Sequence, residues 1–332
     1  MTHASQNIEM VVSPKHSFSS LQSFYLHADF VSLCQISFLL RSPKLSSFCM
    51  TLMEGSAPEG PTSFPAWAEI FGRFALQTPN LREFCLSKQA PKTALILGAT
   101  GQTGQHLLKS LLASSEYSRV AEYGRRVTPS DDISTGKDKL EQKVIDFEKL
   151  QDSDLKKGNW DVVFITLGTT RANAGSAEAF EKIDREYVIN AAKEAKSDDP
   201  ALAQRLVYLS STGANANSPF LYPKSKGLTE IGLAKLGYAD TIVFRPAALA
   251  GTHRPESRIA ESVLLGITSV LSRFSDRLEI KVSDLGRAIA LAGIMGSKSL
   301  PANVNAKQEG PEGARFTVID NPGALKLAAL DK

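Results

Sequence analysis

Cysteine is scarce in this 332-residue chain. Cys34, Cys49 and Cys85 are the three, and all lie in the first ninety residues. Their spacing suits neither a metal site nor a disulfide framework, so the chemistry further along runs without cysteine and a reducing compartment is the default. The five histidines are scattered, which argues against a zinc cluster. Charge of either sign is balanced, with 38 Lys and Arg against 35 Asp and Glu and a net charge of +3. There is no polybasic tail, and nothing in the charge pattern points to nucleic acid. Long apolar runs are missing too: the longest, around Phe38, Leu39 and Leu40, is broken by Ser and Gln and falls far short of the ~20 residues that span a bilayer. No internal repeat is visible. With 42% hydrophobic and 22% charged residues, the chain suits one large or two small globular domains.

Residues 1–90 differ from the rest of the chain. The first fifty are rich in Ser and Phe, poor in acidic residues, and contain a single arginine, Arg41. They show no sustained period, and residues 54–65 read as a Gly/Pro/Ser linker. This N-terminal extension is expected to be poorly ordered. Three readings compete for it: a targeting region, a tail, or a start-site artefact, since Met50 and Met53 offer later starts. Phe64, Trp67, Ile70, Phe71 and Phe74 fall at helical spacing, which predicts a helix over 64–76 docked on a core rather than a membrane anchor.

Glycine is used sparingly until one stretch concentrates it. Ala94 to Leu97 form an apolar run that ends in Gly98, Gly101 and Gly104. A helical stripe comes at once, with Leu107, Leu108, Leu111 and Leu112 on one face. Strand, glycines and helix in this order build a dinucleotide site. Gly98 permits the tight turn, Gly101 lets a phosphate approach the backbone, and Gly104 lets the helix pack against the strand. The spacing is G-x-x-G-x-x-G rather than G-x-G-x-x-G.

From Thr93 onward, strand-like runs at 93–98, 118–124, 142–146, 161–167, 205–210 and 240–245 alternate with helical runs at 102–114, 178–196 and 224–237. Alternation of this kind predicts an α/β fold: a Rossmann-like, doubly wound parallel sheet with helices on both faces. A small C-terminal substrate lobe completes the expectation, placing an NAD(P)-binding domain at 91–332.

The strand ends carry the candidate site. Arg125 and Arg126 close the second strand, 21 and 22 positions after Gly104. Arginine there accommodates the 2′-phosphate of NADP, where an acidic residue would bind the free hydroxyl of NAD. Glu122 lies too early in the strand for that contact. Asp146, after the third strand, can accept from an adenine amino group or cap the turn after it. Leu167 and Gly168 end the fourth strand, where the backbone passes close to the cofactor. Ser210 and Ser211 end the fifth. Then Tyr222 and Lys226 stand four apart on one helical face, with Pro223 in the first turn. Carbonyl reduction needs a proton donor beside the carbonyl, and an ammonium next to a phenol favours the phenolate. Ser211 is the expected carbonyl-orienting hydroxyl, with Ser210 as the alternative.

On these residues the chain resembles the short-chain dehydrogenase/reductase superfamily, in its atypical branch. More closely, it is similar to the family of the Tat-interacting-protein oxidoreductase and its fungal relative, the "found in mitochondrial proteome" protein. The resemblance is carried by residues 98–112, 124–126, 144–150, 164–188, 208–230 and 244–258, and LGTTR followed by F-x-x-x-D-R-x-Y-V is its most specific part. It implies NADP(H) contacts at Thr100, Gly101, Gln102, Thr103, Arg125, Arg126, Leu167, Gly168, Tyr222 and Lys226, with Leu249 and Arg258 at further cofactor positions. It implies Tyr222 as proton donor or acceptor. Many superfamily members also place an asparagine on the helix after the fourth strand, and Asn190 is the candidate here. The fungal relatives imply peripheral association with the mitochondrial outer membrane, with the cytoplasm as the alternative.

Insertions at 213–221, 247–275 and 298–315 are expected to form the substrate side. Phe220, Leu221, Leu249, Val263, Leu264, Leu265 and Leu271 give them an apolar character, which suggests a lipophilic carbonyl. Asp284 opens a late helix and reads as a cap. Two functional classes remain in play. One is an NADPH-dependent oxidoreductase using Ser211, Tyr222 and Lys226. The other is an NADPH-binding regulatory or scaffold protein with protein partners and little turnover. Monomer and weak dimer are both open.

Overall fold

The computed structural model describes residues 90–251 and 279–331, together with the backbone of three earlier strands. The chain divides into two compact units, Met1–Pro91 and Lys92–Lys332. In the first, β1 (Ser23–Ala28), β2 (Ser47–Leu52) and β3 (Glu83–Lys88) pair in parallel in that order. The helix expected over 64–76 and the linker over 54–65 lie outside the described residues.

The second unit is built on an eight-stranded sheet. Its strands are β4 (Lys92–Leu97), β5 (Tyr117–Gly124), β6 (Leu140–Val144), β7 (Val162–Ile165), β8 (Arg205–Leu209), β9 (Asp240–Arg245), β12 (Lys307–Glu309) and β13 (Phe316–Asp320). The order is β12-β13-β9-β8-β7-β4-β5-β6, parallel except for the antiparallel edge strand β12. A separate small ladder pairs β10 (Ala248–Ala250) with β11 (Glu279–Lys281). From β4 the chain first winds outward through β5 and β6, then returns to lay β7 on the other side of β4. That reversal leaves a crevice at the carboxyl ends of β4 and β7, where ligands of doubly wound sheets bind.

Ala94, Leu95, Ile96 and Leu97 are all fully buried, as are Val162 to Ile165. Side chains alternate across a strand, so apolar residues at every position require cover on both faces. Two layers provide it. On one face α1 (Gln102–Ala113) packs on a late helix, Val282–Met295, which in turn packs on Asn321–Ala328. Gly286 of the late helix lies so close to α1 that a Cβ there would sit 2.7 Å from the Leu107 nitrogen. On the other face lie a helical run from 177 to 195 and a helix over Leu221–Ala234, with Val188, Ala191, Ala192, Ala195 and Leu233 in the core. In chain order the helices are α1, α2 (Arg171–Ala174), α3 (Ala177–Glu181), α4 (Tyr187–Ala195), α5 (Leu221–Ala234), α6 (Val282–Met295) and α7 (Asn321–Ala328). A π-turn over Lys182–Glu186 joins α3 to α4 without a break.

The alternation read from the sequence recurs with ends shifted by a few residues. The hairpin β12–β13 was not anticipated. Residues 298–315 were expected to be an insertion, yet they hold β12 and the turn at Gly310 and Gly313, both at positive φ. Asp284 sits in the first turn of α6 and pairs with Arg287 at 3.4 Å. Lys281 occupies the capping position, so the acid acts within the turn.

Candidate active site

The glycine loop has the geometry its spacing implied. Gly98 sits at φ +99°, and a Cβ there would lie 2.7 Å from the Leu167 nitrogen. The loop after β4 therefore touches the loop after β7. Thr166 fastens the two, its hydroxyl donating to the Gly98 carbonyl at 3.0 Å. A Cβ on Gly104 would fall 2.1 Å from the Gly98 carbonyl oxygen, so only glycine lets α1 start this close to β4. Gly101 caps α1 in extended conformation with no side-chain cap. The first N–H groups of a twelve-residue helix thus face the crevice, together with the positive end of its dipole. Thr100 and Gln102 flank this opening at the surface, whereas Thr103 is buried on the inner side of the helix.

Arg125 and Arg126 are exposed directly after β5, and neither forms an ion pair or hydrogen bond among the described residues. Glu122, two residues before the strand end, is buried. Its carboxylate accepts from the Thr128 N–H and hydroxyl, both at 2.8 Å, and from Gln142 at 2.7 Å. It closes the loop that presents the two arginines and is not available to a ribose. Asp146 is exposed and accepts from the Glu148 N–H at 2.9 Å. It forms the local turn that was one of its two expected roles.

The second half of the site lies at the ends of β7 and β8. Lys226 and Asp184 are both buried and form an ion pair at 3.1 Å. Lys226 also donates to the Tyr208 hydroxyl at 3.1 Å. Its Nζ lies 6.0 Å from the ring centroid of Tyr222. The Tyr222 ring is 44% exposed and rests against Phe180. The helix begins at Leu221, earlier than expected, so Tyr222 is already helical and shares a face with Lys226. Gly168 stands over the ion pair: a Cβ there would meet Asp184 at 3.4 Å and Lys226 at 3.7 Å.

The two serines after β8 separate cleanly. Ser210 donates to Glu230 at 2.6 Å, and Glu230 is held by Arg245 at 2.6 Å. Among the described residues, the Ser211 hydroxyl is buried with no partner. The next loop folds back on α5, with Asn215 N–H donating to the Pro223 carbonyl at 2.9 Å. At Gly227 a Cβ would sit 2.2 Å from the Ala216 nitrogen. The serine turn is thereby clamped against the helix that carries Tyr222 and Lys226. Beyond it, a cavity of about 400 Å³ opens beside Thr212 and Gly213, lined also by Arg245, Asn305, Lys307 and Glu309.

Leu249 is partly exposed on β10, away from the glycine loop in sequence. Arg258, Val263, Leu264, Leu265 and Leu271 lie outside the described residues. Asn190 is exposed on α4. Asp184 and Tyr208 were not anticipated. Asp184 had a signal: it sits four residues after Phe180 and four before Val188, an acid in an otherwise apolar stripe. Among the described residues no His, Cys, Asp and Glu cluster could hold a metal ion, and no helix is long and apolar enough to cross a membrane.

A parallel sheet wound both ways from β4, a glycine cradle a Cβ would fill, and an uncapped helix start define an NAD(P)-binding protein of the Rossmann class. Residues 98–246 match the NAD(P)H-binding family. Rat HTATIP2 is 38% identical over 174 residues, covering 52% of this chain and 69% of that protein. FMP52-1, mitochondrial, of Scheffersomyces stipitis is 31% identical over 242 residues, covering 72% and 99%. A short-chain dehydrogenase from Burkholderia cenocepacia, solved with NADP, aligns with a TM-score of 0.43 at 17% identity over 61% of this chain and 84% of that one. The chain belongs to the family of the HTATIP2 and FMP52 proteins.

Proposed function

We propose that this protein is an NADPH-dependent oxidoreductase that interconverts a carbonyl and an alcohol. The observation that carries the reading is the buried Ser211 hydroxyl, which has no partner among the described residues, in a turn clamped to the helix of Tyr222 and Lys226. A buried hydroxyl left open at a strand end is a donor waiting for an acceptor.

The nucleotide, when bound, supplies hydride to the carbonyl carbon or accepts it in the reverse direction. The residues of the chain do the rest. The Gly98–Gly104 loop and the first turn of α1 hold the pyrophosphate. Arg125 and Arg126, exposed and without a partner among the described residues, would bind the 2′-phosphate, which favours NADPH over NADH. Ser211 donates to the carbonyl oxygen and fixes its orientation. Tyr222 gives that oxygen its proton, and in oxidation takes it back. Lys226 places a positive charge near the phenol and keeps an N–H for a ribose hydroxyl.

The substrate is a small carbonyl compound of lipophilic character. That reading rests on Phe220 and Leu249, both exposed, and on the apolar composition of residues 263–271. The protein acts peripherally at the mitochondrial outer membrane. Relatives named mitochondrial support the organelle.

The test is a fluorescence titration with NADPH and NADH for wild type and Arg125→Ala. Wild type should prefer NADPH. The variant should lose roughly ten- to hundredfold for NADPH, the worth of a charge-assisted phosphate contact, and little for NADH. Equal binding of both nucleotides, or an unaffected variant, would remove the NADP assignment. No binding of either would remove the enzyme reading.

A further inference from the structure

The ion pair of Lys226 and Asp184 is more deeply buried than any other among the described residues, with side-chain exposures of 5% and 0%. An ammonium has three N–H donors. In this site one points to Asp184 Oδ1 and one to the Tyr208 hydroxyl, each at 3.1 Å, and one is left over. The second carboxylate oxygen, Asp184 Oδ2, is buried with no partner among the described residues. An apolar pair of the same volume would serve the fold as well or better. A charge kept under such terms, beside the residues of the proposed chemistry, points to a task other than stability.

We propose that Asp184 is a positioning residue of the site: its carboxylate fixes the Lys226 ammonium beneath Gly168 and Thr169, with one N–H free for the ribose of a bound nicotinamide nucleotide, an inference that rests on the NADPH reading above.

Three local features place the carboxylate. The π-turn over Lys182–Glu186 widens the helix where Asp184 faces inward. Gly168 has no side chain to press on the pair. The Thr169 N–H approaches Asp184 Oδ1 at 3.4 Å from the loop after β7. The groups that face Lys226 are Asp184 from the π-turn, Tyr208 from β8 and Tyr222 from α5. Burial alone would push the ammonium toward its neutral form, yet Tyr208 and Asp184 together hold its pKa above the ordinary lysine value. Burial also pushes Tyr208 up, so at neutral pH it is an uncharged phenol. The carboxylate is therefore the charge that keeps Lys226 protonated.

The experiment is an NADPH titration of wild type and Asp184→Asn between pH 6.5 and 9.5. Without the carboxylate, Lys226 is a buried ammonium beside a neutral phenol and loses its proton within this range. The affinity of the variant relative to wild type should fall by about tenfold or more from the acid to the alkaline end. A ratio that is the same at every pH would overturn the inference, because a purely structural role weakens binding uniformly. Failure of wild type to bind NADPH would instead sink the cofactor reading. Thermal unfolding reads the pairing without nucleotide. Lys226→Met and Asp184→Asn each leave one unpaired buried group, and the double variant leaves no unpaired charge. The double should melt above both singles, and should fold even if Asp184→Asn does not. A double variant that melts below both, or remains unfolded, shows that Asp184 does not act through Lys226.

Discussion

Ser210 and Glu230 share a hydrogen bond of 2.6 Å in the interior of the second unit, and this one contact assigns different work to two adjacent serines. Ser210 belongs to the buried network with Glu230 and Arg245, whereas Ser211 is left to the site. Ser210→Ala should lower stability by about 1–2 kcal/mol in urea unfolding, because it takes a partner from a buried carboxylate. Ser211→Ala should leave the unfolding midpoint unchanged. It should cut kcat/KM for any carbonyl substrate by about a hundredfold, the usual scale for a lost oxyanion donor. The reverse pattern would exchange their roles.

Tyr222 is half exposed, and its ring contributes little to the core. Tyr222→Phe should therefore keep the wild-type melting temperature and bind NADPH within about twofold, while turnover is lost. Stopped turnover with intact binding identifies a proton donor. Unchanged turnover would show that the proton comes from another group.

Gly104 and Gly213 make a contrasting pair. A Cβ at Gly104 collides with the Gly98 carbonyl, whereas at Gly213, φ +77°, no described atom lies within 4 Å. Gly104→Ala should cost about 1–3 kcal/mol as α1 is forced off β4, and NADPH binding should fail with it. Gly213→Ala meets only backbone strain, about 1–2 kcal/mol, and should spare the nucleotide site. Denaturant midpoints combined with NADPH titration separate the two.

Strong alkali should unfold the protein through its buried tyrosines. Burial holds the Tyr117, Tyr208 and Tyr238 hydroxyls well above the usual phenol range. An unfolded tyrosine ionises near pH ~10. Their contribution is complete below that pH and is lost as pH rises through the unfolded value toward the folded ones. The melting temperature should be flat from pH 7 to 9 and fall steeply above pH ~10. Tyr117→Phe should flatten the fall, at the expense of the bond from its hydroxyl to the Ala290 carbonyl at 3.1 Å. A curve that stays level to pH 11 would contradict this.

The parts of the fold set by short-range pattern were legible. Four consecutive buried residues before Gly98, and leucines at helical spacing after it, identify a strand and helix from local sequence alone. Gly98 and Gly104 carried their own meaning because a side chain there has nowhere to go. What was not legible depends on partners distant in the chain. Asp184 and Lys226 stand 42 positions apart, and no local period announces that they meet. Asn190 had the right chemistry for a relay but sits on the solvent side of its helix. β13 was missed because Gly310, Pro311 and Gly313 made its approach read as an insertion, when they form the turn of a two-strand edge.

The π-turn has a consequence for how this chain can change. Phe180 and Val188, both buried, are eight residues apart, about one more than the ~7.2 residues in two α-helical turns. The turn absorbs that extra residue. Loss of a single codon at Asp184 would restore an ordinary helix, leaving Phe180 and Val188 still facing the core. The helix would keep its register, and the acid would vanish from beside Lys226. A descendant of this chain could thus shed the buried acid in one genetic step with the apolar stripe of the helix still in register.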